Sequence, residues 1–419
     1  MSCMSELKVL ASIAKELDAH DQLAYLRERF YIPAGKVYLD GNSLGILPRA
    51  MTKGLTQLIE AEWGEDLISS WNTHGWIDSS ERLGERVAPL LGAGPGQVLC
   101  ADSISVNVFK LLATALDLQP DRHIILLEAN EFPTDRYIAQ GLAQLLGAQR
   151  CEVREAAPEK LMESLTSDVA VVLLSEVNYR TGRRHNKRLI NKAAHDAGVL
   201  TCWDVAHAVG AMPVDFDASG VDLGVGCGYK FLNGGPGAPA FLYVAKRHQN
   251  KVLQPLAGWL GHHAPFDFEH TYTPANGVLR YQSGTPSILA MRALDIALDC
   301  FDGVSLTALR DKSVALCAFF IDALNTQPDL DSLRLITPEL ASDRGSQVAV
   351  CHPQAYAIAQ DLIERGIVVD FRAPDIVRFG FAPMYNTFED AYEALNALAE
   401  LLKYETYRAA RFQIRGKVT

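Results

Sequence analysis

Short unbroken apolar runs alternate with helical patterns between about Ser103 and Val244. Ile124-Ile125-Leu126-Leu127 predicts a buried strand and Tyr137 to Leu146 the helix after it. Val169 to Leu174 predicts a second strand, with Leu189 to His195 helical behind it, and Val199 to Trp203 a third. Val221 to Val225 and Ala240 to Val244 complete the series. Strands that are apolar at every position are buried on both faces, so these runs predict a largely parallel sheet covered by helices. Ligands in such α/β folds bind where strands end at their carboxyl edge.

Beyond about Ala290 the pattern changes. Helices are predicted over Ile288–Phe301, Leu306–Leu324, Tyr356–Arg365 and Phe388–Tyr404. Between them, Leu333–Ile336, Gln347–Val350, Val368–Phe371 and Ile376–Phe379 read as strands, giving a small α+β unit. The expected division is an N-terminal segment 1–36 packing with that small unit, a large domain 37–290 and a small domain 291–419.

Composition narrows the class. With 39 basic and 50 acidic residues in 419, the net charge is −11, and no dense basic cluster tracks phosphates, which argues against nucleic-acid binding. No apolar stretch approaches the ~20 residues of a membrane span, and Glu6, Lys8 and Lys15 interrupt any signal-peptide core. A soluble, cytoplasmic protein is expected. The eight scattered cysteines contain no CxxC pair and read as reduced, buried thiols. No metal site is expected, since His262-His263 lacks a third ligand at suitable spacing, and no Gly-x-Ser-x-Gly elbow occurs.

The chemistry concentrates between Trp203 and Gly237. Asp204 closes an apolar strand, where an ionised group is costly unless it serves a ligand or partner. Lys230 follows at another strand end, before a glycine-rich turn. A carboxylate and a lysine on neighbouring strands suit pyridoxal phosphate: the amine bonds the aldehyde and the carboxylate keeps the ring nitrogen protonated. A salt bridge beside a flexible turn is the other reading of that pair. Ser103 to Asn107 opens a helix whose exposed N–H groups suit an anion, or an ordinary cap. Phe132-Pro133-Thr134-Asp135 starts another helix after the first strand, offering an aromatic face and a carboxylate, with capping as the alternative for Thr134 and Asp135.

These blocks resemble kynureninase, a fold-type I pyridoxal-phosphate enzyme of the class V aminotransferase-like family. Tyr38-Leu39-Asp40-Gly41-Asn42-Ser43-Leu44-Gly45 and Gly228-Tyr229-Lys230-Phe231-Leu232-Asn233-Gly234-Gly235-Pro236-Gly237 carry the resemblance most specifically. Glu62-Trp63-Gly64, Ser70-Trp71-Asn72, Val177-Asn178-Tyr179, Trp203 to His207, Arg378-Phe379-Gly380 and Tyr385 to Phe388 extend it over nearly the whole chain.

The resemblance implies the fold-type I transferase fold and a set of roles. Lys230 is the Schiff-base lysine and Asp204 the pyridinium partner. Ile104, Ser105 and Tyr229 reach the phosphate, Phe132 stacks on the ring, and Pro133, Thr134, Asp135, Ser175 and His207 line the cofactor pocket. Trp259 and Thr285 come to the phosphate from a second subunit, implying a homodimer; some relatives carry asparagine in place of Thr285. Arg378 clamps the substrate α-carboxylate, a planar anion suited to a guanidinium fork, while Asn42, Ser43 and Trp71 line the substrate side. Tyr229 is the candidate proton relay. The implied activity is hydrolysis of L-kynurenine, or its 3-hydroxy form, to the anthranilate and L-alanine in tryptophan metabolism. Another fold-type I activity, an aminotransferase or a cysteine desulfurase, is the alternative.

Overall fold

The computed structural model describes residues 3–251 and 253–416, so residues 1–2 of the expected first segment and 417–419 of the last unit lie outside it. Its strands are β1 (Val37–Tyr38), β2 (Val98–Cys100), β3 (Ile124–Glu128), β4 (Glu152–Ala156), β5 (Val169–Ser175), β6 (Leu200–Asp204), β7 (Leu223–Cys227) and β8 (Ala240–Val244), followed by β9 (Arg334–Leu335), β10 (Gln347–Cys351), β11 (Ile367–Val368), β12 (Asp370–Arg372) and β13 (Ile376–Gly380).

Seven of these form one sheet in the order β2-β8-β7-β6-β5-β3-β4. Neighbours from β4 through β7 pair in parallel, and β8 runs antiparallel to both β7 and β2. The expected mostly parallel sheet is therefore present, with one reversed strand. Every residue of β3, β5, β6 and β7 is buried, and alternate residues feed opposite faces. Ile124 and Leu126 join the core that holds Trp203 and Met291, whereas Ile125 and Leu127 join the core of Leu111, Leu112 and Leu142. A helix layer thus seals each face, and each fully buried leucine contributes about 1.5–3 kcal/mol.

The second unit is an antiparallel sheet, β12-β13-β10-β9, sharing a core with helices Leu306–Thr326, Ala355–Glu364 and Phe388–Lys403. The single strand expected over Val368–Phe371 is split at Val369: β11 pairs with β1, and β12 with β13. Core membership also runs across the expected division after 290. Met291, Leu294, Leu298 and Leu309 pack in the core of the large sheet, and the second core takes over from Leu316. Ala14 belongs to the second core, while Leu23, Leu26 and Phe30 belong to the first.

The seven cysteines from Cys100 onward are free and buried. Among the described residues, no helix is long and apolar enough to cross a membrane.

Candidate active site

The carboxyl edge of the large sheet builds the site. Ser175 and Asp204 are the last residues of β5 and β6 and face each other in register. Tyr229 and Lys230 follow the end of β7. Gly228, between Cys227 and Tyr229, has no room for a side chain, because a Cβ there would lie 2.8 Å from the Pro239 carbonyl oxygen. Two helices aim their N-termini at the same edge. One, Ile104–Leu118, is capped by Ser103, whose Oγ accepts from the Val106 N–H at 3.4 Å. The other, Pro133–Leu146, begins with proline at its first position, where the missing N–H costs nothing.

A cavity of ≈ 360 Å³ lies between these elements. Ile104, Ser105, Phe132, Thr134, Ser175, Asp204, His207, Tyr229 and Lys230 all line it, so nine of the expected cofactor residues converge. Tyr179 lines it too, with its ring edge-on to Phe132 at 5.1 Å between centroids. Lys230 Nζ donates to His207 Nε2 at 2.9 Å and lies 5.9 Å from the ring centres of Phe132 and Tyr229. Burial, reinforced by the charges of Lys230 and Arg378, holds the His207 pKa well below its usual value, so the imidazole is neutral and accepts.

Beneath the cavity lies a cluster of buried acids. Asp204 Oδ1 accepts from the Ala206 N–H at 2.7 Å, and burial raises its pKa despite the opposing pull of Lys230. Asp135 is fully buried, and neither carboxylate oxygen has a hydrogen-bond partner. Its pKa is pushed well up by burial and then by Asp204 and Glu131. Glu131 accepts from the N–H and hydroxyl of Ser175, and burial raises it to about 7. A buried carboxylate without a donor is costly, and a protonated ring nitrogen seated here would supply one. With an aromatic wall at Phe132, a lysine amine and helix N-termini for an anion, the residues fit pyridoxal phosphate.

The second unit reaches the wall of this cavity, at the Tyr179 carbonyl, through β10 and β13. Arg378 is fully buried, one terminal nitrogen donating to the Tyr179 carbonyl and the other to Ser43 Oγ at 3.1 Å and to Asp370. Gln347 donates to the same Tyr179 carbonyl at 3.1 Å and accepts from Asn42 Nδ2 at 3.0 Å. Asn42, Ser43 and Arg378 are therefore tied to the cavity wall through one backbone oxygen. Beside them, burial and the charge of Asp370 raise Asp40 to about 7.

Pro133, Asp135, Asn42, Ser43 and Arg378 lie outside the cavity lining but on the elements around it, and Trp71, Trp259 and Thr285 stand apart from it within this chain. Trp71 packs edge-on to Trp76, whose indole donates to buried Glu62 at 2.8 Å. Trp259 is 42% exposed and packs on Phe266. Thr285 lines a neighbouring cavity that shares the Asp102 and Gly237 walls with the first.

The expectation for His262-His263 needs correction. The segment after them folds back so that Pro274 bridges His262, which brings Glu269 close enough to form a three-residue group with the two histidines. A second group, Glu128, Glu131 and His185, is wholly buried. Sequence reading also passed over Asp370, Gln347 and Glu131. The signal for Asp370 was a carboxylate inside the apolar run Val368-Val369-Asp370-Phe371.

Comparison with known proteins agrees with this geometry. The Kynureninase C-terminal domain family matches residues 309–398. The curated kynureninase of Deinococcus radiodurans is 49% identical over 92% of this chain and 95% of the relative. That of Pseudomonas fluorescens is 44% identical over 96% of this chain and 98% of the relative. Among solved structures, a C-DES mutant with glycine covalently linked to its PLP cofactor superposes with a TM-score of 0.78 at 20% identity, covering 89% of this chain and 99% of that one. The cysteine desulfurase CsdA of Escherichia coli gives 0.76 at 20% identity, covering 91% and 99%. At that identity these structures speak to the fold, which is fold-type I.

Proposed function

The chain belongs to the kynureninase family, and from that premise we propose that it hydrolyses L-kynurenine, with water, to anthranilate and L-alanine using pyridoxal phosphate. The observation that carries the reading is Lys230 Nζ in a cavity at the sheet's carboxyl edge, opposite the buried Asp204 carboxylate. Bound there, the cofactor supplies an electron sink that lets bonds at the substrate's α- and β-carbons break.

The chain's own residues divide the remaining work. Lys230 anchors the cofactor and, once released, takes the proton from the substrate α-carbon. Asp204, with Asp135 beside it, keeps the ring nitrogen protonated. Phe132 stacks on the ring, with Pro133, Thr134, Ser175 and His207 completing the wall. Ile104, Ser105 and Tyr229 hold the phosphate. Burial raises Tyr229 above the usual phenol range, so its hydroxyl stays protonated and able to donate to the phosphate, and in this reading it also relays a proton. Arg378 takes the α-carboxylate, and Asn42, Ser43 and Trp71 bound the substrate side.

A homodimer completes the site in this reading. Trp259 is exposed and Thr285 lies outside the lining of its own chain's cavity, which suits residues that serve a second copy. In this reading a cofactor domain and a small clamping domain meet between about 290 and 310, which core membership supports. A cytoplasmic setting accords with the buried, unbridged thiols.

A desulfurase would need an accessible, acidic thiol. Burial instead pushes Cys300 and Cys317 up to about 11 and raises Cys351, which disfavours that chemistry. Incubation of the holoenzyme with L-kynurenine tests the proposal: anthranilate fluorescence with equimolar alanine is expected. Amino transfer to a keto acid without anthranilate would replace it with an aminotransferase.

A further inference from the structure

Both terminal nitrogens of Arg378 are engaged, while its buried Nε has no hydrogen-bond partner. Its guanidinium is fully buried, one terminal nitrogen on the Tyr179 carbonyl and the other shared between Ser43 Oγ and Asp370 Oδ2. The pairing of β12 with β13 sets Asp370 directly opposite Arg378, so the ion pair is built into the sheet register. The same Asp370 oxygen accepts from Ser43 Oγ at 3.0 Å and lies 2.7 Å from Arg372 Nη2. One carboxylate oxygen therefore serves two guanidinium groups and a hydroxyl.

An incoming carboxylate that seeks Arg378 meets a guanidinium already paired with a carboxylate. Simple addition would crowd two anions on one buried fork, while removing the internal one without replacement would leave a buried cation unpaired, costly in either case. Exchange avoids both costs, because Arg372 is already in contact with Asp370 and can keep its charge paired. Resting on the reading that Arg378 receives the substrate, we propose that Asp370 is an internal carboxylate ligand of Arg378 that the substrate α-carboxylate displaces toward Arg372. Asp370 is then a positioning residue, and the exchange selects for carboxylate-bearing ligands, since a neutral group has no charge to trade for it.

The test uses holoenzyme variants, with KM and kcat for L-kynurenine and the inhibition constant of its α-carboxamide. Asp370→Asn keeps the shape and removes the competing charge. It is expected to lower KM about fivefold with kcat little changed and the carboxamide constant unmoved. A raised KM, or an equal shift for the carboxamide, overturns the proposal. Arg372→Gln gives an independent reading should Asp370→Asn fail to fold. It removes the acceptor of the displaced carboxylate and is expected to raise KM for kynurenine alone, and an unchanged KM would overturn the exchange. Arg378→Ala separates the two levels: if it leaves KM unaltered, the carboxylate assignment itself falls, whatever the other variants do.

Discussion

Lys230 Nζ donates to His207 Nε2 at 2.9 Å, a contact between the turn after β7 and the segment after β6. Because burial keeps His207 neutral, the contact parks the lysine amine without a competing carboxylate bond. Lys230→Ala is expected to abolish turnover, by about 10²–10⁴-fold or more, as removal of a nucleophile and proton acceptor does. It should also remove the visible absorbance of lysine-bound cofactor. A variant with normal activity and spectrum would end the assignment of Lys230.

Arg378 ties the small sheet to the cavity wall, and its forked geometry suits a carboxylate. Arg378→Ala should act chiefly on substrate binding, costing about 2–5 kcal/mol in kcat/KM if the pair is buried. Arg378→Lys should recover only part of this, because an ammonium cannot make the two parallel bonds. Steady-state kinetics with L-kynurenine would show it as a rise in KM.

Much of the large sheet was legible because its strands are buried at every position and read as near-continuous apolar runs, the signature of burial on both faces. β8 falls where the apolar run Ala240–Val244 predicted it. β4 carried no such signal: at the sheet edge Glu152 and Glu155 are exposed and Arg154 is half-buried, and polar edge strands read as loop. β2 spans only three residues, too short for a period. In the site, residues on the cofactor side were readable because motif and strand end coincide. The Asp370–Arg378 pair was not, because eight residues of chain hide a pairing that the β12–β13 register creates. Trp259 and Thr285 are exposed in this chain, and the role proposed for them lies in a second copy.

Gly45 marks a close approach between the Asp40–Gly45 segment and the lysine turn. Its N–H donates to the Tyr229 carbonyl at 2.7 Å, and a Cβ would fall 2.3 Å from the Lys230 carbonyl oxygen. Neither neighbour is a flexible chain end, so the backbone that positions Lys230 would have to move. Gly45→Ala is expected to cost about 1–3 kcal/mol of stability and to weaken cofactor retention. Thermal unfolding with and without added pyridoxal phosphate would check both effects.

Dilution tests the shared site. If Trp259 and Thr285 serve a second copy, cofactor affinity should fall as the protein is diluted below its dissociation range. Trp259→Ala should weaken cofactor binding without touching the cavity of its own chain. Sedimentation together with cofactor absorbance would follow both, and an active, fully loaded monomer would refute the arrangement.

Glu131 gives the site a pH signature. Its carboxyl is fully buried, receives two bonds from Ser175, faces Glu128 and Asp204, and titrates at about 7. The folded state therefore holds a proton that the unfolded chain releases near the ordinary carboxylate value. The sign follows: the stabilisation is complete below that value and is lost as pH rises through about 7. Glu131→Gln keeps an acceptor for Ser175 and cannot ionise, so its melting temperature should be flatter with pH. Between mildly acidic and mildly alkaline buffer, the wild type should fall relative to the variant by roughly 2 °C or more. Parallel curves would mean that Glu131 carries no proton, and that the strain of the acid cluster is borne by Asp135 and Asp204 instead.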